Sequence, residues 1–181
     1  MARALEIAQL GASVIRERAA EVTDIHDPHL QAFIDDLFAT VAAENGMGIA
    51  APQVSESKRI IILSPRPNAR YPYAPTMEPT AMINPEMTWA SSDREKDWEG
   101  CLTVPGIRGL VPRHRAIRVR YHARDGALIE TEYEGFLARV FQHEVDHLEG
   151  LVFLDRVEST KDLVTENEWQ KIIAQRHQPR S

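Results

Sequence analysis

Residues 141–150 read FQHEVDHLEG, and no other stretch constrains the chain as tightly. His143, Glu144 and His147 stand at the spacing of an H-E-x-x-H pattern. On a helix, positions i and i+4 lie about 6 Å apart along the axis and roughly 40° apart around it. Both imidazoles then project from one side, close enough to hold one ion. Glu144 sits next to that face, within reach of a water at the ion. A cation lowers the pKa of such a water, and a carboxylate takes its proton as it attacks a carbonyl. The alternative is a polar helix with two incidental histidines.

Two imidazoles do not complete a site, so a third donor must come from elsewhere. The extended zincin pattern needs a histidine six residues after the second, and that position is Phe153. Glu168 follows on a predicted later helix and could serve, as in a general metalloprotease. Cys101, in WEGCLTVPG, is the other candidate. A thiolate with two imidazoles suits a tetrahedral ion and leaves one position for water. A lone cysteine is more often a small buried hydrophobe. A metal-stabilised domain without catalysis, with Glu144 dispensable, is a further reading.

The rest of the chain supplies the frame. Asp27-Pro28 opens a helix, with Leu30, Phe33, Ile34, Leu37, Phe38 and Val41 in one apolar stripe and Gly46 placed to end it. RIIIL (59–63) and AMINP read as short strands. Residues 64–80 carry five prolines and read as a long surface loop. RAIRVRYHA (115–123), the turn RDG and ALIETEYEG form a hairpin pattern. A second long helix is expected from about Glu134-Gly135 to Gly150, then a strand over LVFLD. Thr165 to Glu168 fits a capping box, opening a short helix with Trp169, Ile172 and Ile173 on one side. Strands and helices without regular alternation indicate an α+β fold, and 181 residues suit one domain.

Composition narrows the classes. Net charge is −6 with both signs mixed, which argues against a general nucleic-acid binder. One cysteine permits no internal disulfide. No apolar run suits a signal peptide or a membrane span, so a cytoplasmic protein is expected.

GMGIAAPQV (46–54) adds two glycines that admit close backbone approach, and Gln53 as an amide donor beyond a stiff Ala-Ala-Pro. It also reads as a helix stop and a tight turn. Together GMGIAAPQ, EGCLT and QHEVDHLEG resemble, in order and spacing, the three motifs of peptide deformylases. LVPR (110–113) and LVFLDR (151–156) fit as well, and the resemblance runs from about Ala4 to Val157.

The resemblance implies a metal-dependent hydrolase that removes formyl from the N-terminal methionine of new proteins. It implies Cys101, His143 and His147 as metal ligands and Glu144 as acid/base. Gln53 and the Leu102 N–H would hold the oxyanion. The ion implied is Fe(II) in the cell, with zinc, nickel or cobalt accepted. The implied fold is a compact α+β domain over 1–181, its antiparallel strands packed around the H-E-x-x-H helix. The partners expected are formyl-methionyl nascent peptides, with a transient ribosome contact and no membrane. Gly48 and Met47, with Phe136 and Val140 on the His143 face of the helix, are candidate substrate-binding residues, or simply core. Arg108 matches a position that contacts peptide backbone in the family, or is an ordinary surface arginine. Arg139, on the same face as His143, is expected to pack its stem and send its head to solvent. Glu99 and Arg113 could pair near the site. Trp89 and Trp98 read as packing, and His26, His29, His114, His122 and His177 have no partner at ligand spacing. Four departures stand out. Thr103 replaces the usual Ser, LGASVIRERAAEV lacks the usual Pro before its apolar pair, the long loop 64–80 is expected to reshape the rim, and the chain ends soon after its last expected helix.

Overall fold

Asp27 caps the first helix, its Oδ1 accepting from the His29 N–H at 2.9 Å, and Pro28 occupies the first turn. A computed structural model describes residues 2–176; His177 lies outside them. Helix α1 (Pro28–Ala43) buries Leu30, Ile34, Leu37 and Val41. It stops before Gly46. Asn45 adopts the left-handed conformation, with φ of 50°, and the Gly46 N–H returns to the Val41 carbonyl at 2.9 Å. The stop signal is therefore Asn45 rather than Gly46, because asparagine tolerates that backbone region better than other side-chain-bearing residues.

Strands β1 (Gly48–Ala50), β2 (Ile60–Leu63), β3 (Thr80–Ala90), β6 (Ala116–His122) and β7 (Leu128–Glu134) form an antiparallel sheet in the order β1-β2-β3-β6-β7. β2 explains the unbroken run IIIL. Ile60 and Ile62 face α1, whereas Ile61 and Leu63 face the second helix, α2 (Gly135–Leu148). A strand covered on both faces has no polar side to show. Truncating a fully buried residue such as Ile61 to alanine costs about 2–5 kcal/mol. In β6, Ile117, Val119 and Tyr121 are buried and alternate with Arg118 and Arg120, which pair with Glu132 and Glu130 of β7.

β4 (Arg94–Cys101), β5 (Val104–His114) and β8 (Leu163–Thr165) form a second antiparallel sheet, in the order β4-β5-β8. The β4–β5 hairpin had no clear sequence signal. β4 reads REKDWEGC, and only Trp98 and Glu99 in it are buried. LVFLD is not a strand. Phe153–Arg156 is a 3-10 turn, capped by Asp155 accepting from the Val152 N–H at 2.8 Å. Short apolar runs do not separate strand from helix, and here the Asp155 cap decides. Helix α3 (Glu166–Arg176) follows β8, with the Glu168 N–H 3.4 Å from Thr165 Oγ1 and Trp169 buried. The architecture is α+β with antiparallel sheets and few helices. α2 touches β1, β2, β6 and β7 of one sheet and β5 of the other. No helix among the described residues is long and apolar enough to cross a membrane.

Candidate metal centre

α2 places His143 and His147 on one side, with ring centroids 5.2 Å apart. Cys101 is the last residue of β4, and its Sγ lies 3.3 Å from His147 Nε2. One donor atom from each of the three residues falls within 4.8 Å of the others. A tetrahedral ion with bonds of about 2.1 Å to nitrogen and 2.3 Å to sulfur needs donor separations of roughly 3.5 Å, so the cluster suits one. Glu168 lies elsewhere. Its side chain is 58% exposed and pairs with Lys171 at 2.6 Å.

The surroundings orient these donors. Glu99, on β4, accepts from His143 Nδ1 at 2.9 Å. That bond leaves His143 Nε2 free to meet an ion. Glu99 also takes a two-pronged contact from Arg113 of β5, at 2.9 and 3.0 Å, and a third from Arg139 at 2.8 Å. Arg113 bridges onward to Asp146 at 2.6 Å, and Asp146 binds Arg156. Burial opposes charge on Glu99, but Arg113 and His143 hold its carboxyl well below the usual carboxylate range. Burial likewise opposes ionisation of Cys101, yet His147 and His143 beside it outweigh this and hold the thiol well below its ordinary value. A thiolate is the ligand form.

Arg139 does not reach solvent. Its head is buried and donates to Glu99 and to the Val111 and Glu95 carbonyls, because β4 and β5 close over that part of α2. Glu99 and Arg113 do pair, but Glu99 as the carboxylate behind His143 had no local sequence signal. Glu99 and His143 lie 44 positions apart, on a strand and a helix.

Glu144 is 4% exposed, and its Oε2 has no hydrogen-bond partner among the described residues. Burial pushes its carboxyl up to about 7, against the pull of the two histidines. Gly48 makes room for it. A Cβ there would sit 2.7 Å from Glu144 Oε1 and 2.9 Å from the Ile62 carbonyl oxygen. Gln53 is pinned by the Ala50 N–H, which donates to its Oε1 at 2.9 Å. Its Nε2 is thereby turned toward Cys101 Sγ at 3.4 Å and Thr103 Oγ1 at 3.3 Å.

A cavity of about 690 Å³ opens onto this cluster. Met47, Gly48, Gln53, Cys101, Leu102, Arg108, Phe136, Val140, His143 and Glu144 all line it; His147 lies behind. Arg108 is no ordinary surface residue, being 5% exposed and paired with Glu166. Tyr71, from the proline-rich loop, also lines the cavity. It carried no sequence signal.

A family model described as polypeptide deformylase matches residues 4–163. The chain belongs to the peptide deformylase family. It is 56% identical over 169 residues to peptide deformylase 2 of Nostoc sp. (strain PCC 7120), covering 93% of this chain and 94% of that protein. It is 41% identical to peptide deformylase 1 of Xanthomonas campestris pv. campestris, over 85% of this chain and 90% of that one. Among solved structures, the Met-Ala-Ser-bound class I type b peptide deformylase from Acinetobacter baumannii superposes with a TM-score of 0.85 at 43% identity, covering 87% of this chain and all of that one. Peptide deformylases are metalloenzymes, and Cys101, His143 and His147 form a candidate metal site in this member of the family.

Proposed function

We propose that this chain is a metal-dependent hydrolase that removes the N-formyl group from N-terminal formyl-methionine and releases formate. One observation carries the reading: a sulfur and two imidazole nitrogens converge beside a buried carboxylate, one of whose oxygens has no partner among the described residues, at the end of a cavity. Cys101, His143 and His147 would hold the ion, Fe(II) in the cell, with zinc, nickel or cobalt accepted in its place. A divalent ion held there would supply Lewis acidity and lower the pKa of water. Glu144 takes a proton from the water that attacks the formyl carbon. It returns that proton to the amine nitrogen as the C–N bond breaks, leaving formate and a free N-terminus. Gln53 Nε2 and the Leu102 N–H donate to the oxygen that gains charge in the transition state. Each such donor contributes about 3–4 kcal/mol in comparable sites.

Selectivity follows from the cavity walls. Phe136, Val140 and Met47 form the slot for the methionine side chain. β1 is an edge strand, and Met47 and Gly48 line the cavity, so an extended peptide lies alongside that edge. The Acinetobacter relative with Met-Ala-Ser bound supports a peptide substrate. The chain acts as one catalytic domain, with α2 as the central helix. Its setting is the cytoplasm, on nascent chains, with a transient contact at the ribosome where they emerge.

Formate release from formyl-Met-Ala tests the reading, with Cys101→Ala alongside. The expected result is formate from the wild type, intact internal peptide bonds, and neither metal nor turnover in the variant. A wild type that yields no formate when loaded with metal would overturn it.

A further inference from the structure

The loop between β2 and β3 is tied down at several points rather than left loose over the cavity. Asn68 Oδ1 accepts from the Arg70 and Tyr71 N–H groups at 2.9 and 2.8 Å, a local turn set by one side chain. The Arg70 guanidinium donates to the Glu44 and Asn45 carbonyls just past the end of α1, at 3.3 and 2.9 Å. Ala74 is buried, and its N–H returns to the Tyr71 carbonyl. These ties deliver the Tyr71 ring to the cavity wall, 5.5 Å from the Phe136 ring between centroids.

The Tyr71 hydroxyl is anchored as well. Arg108 Nη1 donates to it at 2.7 Å. Arg108 is itself forked onto Glu166 at the start of α3, and its guanidinium lies 4.4 Å from the centre of the Trp169 ring. Gly100 leaves the space, since a Cβ there would run into the Arg108 guanidinium. The ring is thus held from both ends, by the loop turn and by a chain of contacts that reaches α3.

We infer that Tyr71 is a specificity-determining residue, which contacts the side chain of the third residue of a formyl-Met-Xaa-Yaa substrate and favours an apolar or aromatic one. The inference rests on the formyl-peptide reading given above. An extended peptide sends side chains one and three to the same face, about 6.6 Å apart. Phe136 walls the slot for side chain one. Tyr71 stands next to Phe136 at a comparable spacing, so side chain three meets its ring. Arg108 and Glu166 line the same cavity and position the Tyr71 ring.

The test compares kcat/KM for formyl-Met-Ala-Phe and formyl-Met-Ala-Ala in the wild type, Tyr71→Ala and Tyr71→Phe, with metal content and formyl-Met-Ala turnover recorded for each. One aromatic contact is worth roughly three- to tenfold. The wild type should prefer Phe over Ala at the third position by that factor, mainly through KM. Tyr71→Ala should bring the ratio close to one, and Tyr71→Phe should keep most of it. A flat wild-type ratio, or a ratio that survives in Tyr71→Ala, overturns the inference. So does a Tyr71→Phe enzyme that loses the preference as fully as Tyr71→Ala, because the ring and not the hydroxyl makes the contact. Absence of formate from every substrate would instead remove the formyl-peptide reading itself.

Discussion

Glu99 Oε2 lies 2.9 Å from His143 Nδ1, and both groups are almost wholly buried. The carboxylate fixes which ring nitrogen carries the proton and which is left to face an ion. Glu99→Gln keeps the shape and removes the charge. We expect metal affinity to fall on the order of 10- to 100-fold, as for other partners that support a ligand from behind. Competition with a coloured chelator measures this, and wild-type affinity in the variant would show that Glu99 does not support the ligand.

Arg113 joins β5 to both β4 and α2 through Glu99 and Asp146. Arg113→Ala removes the two-pronged partner of buried Glu99 and one of the two arginines on Asp146. Breaking a buried pair of this kind costs about 3–5 kcal/mol. The expected fall in Tm is on the order of 10 °C for a chain of this size. A shift of only a degree or two by calorimetry would mean that Arg156 and Arg139 already suffice.

Glu144 and Gly48 are in contact, so two different changes should give one phenotype. Glu144→Ala removes the proposed proton carrier, and the protein should retain metal while turnover falls by roughly 10²–10⁴-fold. Gly48→Ala places a methyl carbon only 2.7 Å from Glu144 Oε1, and should displace the carboxylate while the metal site still takes up its ion. Metal analysis beside a formate assay separates these effects from metal loss. Normal kcat in Gly48→Ala would show that the Glu144 position is not critical.

Cys101 is the oxidisable member of the candidate metal site, and the chain has no second cysteine to form a disulfide with it. Iron-loaded protein should lose activity quickly in dilute peroxide, and nickel-loaded protein should last longer. Mass spectrometry should place added oxygen on the peptide that contains Cys101. An iron form as durable as the nickel form, with Cys101 unmodified, would count against the thiolate as a ligand.

Much of this protein is set within short windows of its sequence. The four-residue spacing of His143 and His147 already commits both rings to one face once the segment is helical, and the apolar period of residues 30–41 commits α1. The Asp27 cap, the β6–β7 hairpin and the Thr165 cap are local for the same reason: their partners lie within a few residues or across one turn. Neither the choice between Cys101 and Glu168 nor the carboxylate behind His143 is local. Cys101 meets His147 across 46 positions and Glu99 meets His143 across 44, and only the packing of β4 against α2 brings them together. Arg139 shows the limit most clearly. Spacing put it on the His143 face, but whether its charge meets water or Glu99 depends on β4 and β5 closing over that face. Tyr71 is the extreme case, since its neighbours Phe136, Arg108 and Trp169 come from three other elements. Periodicity reports which side of an element is apolar; tertiary packing decides what that side meets.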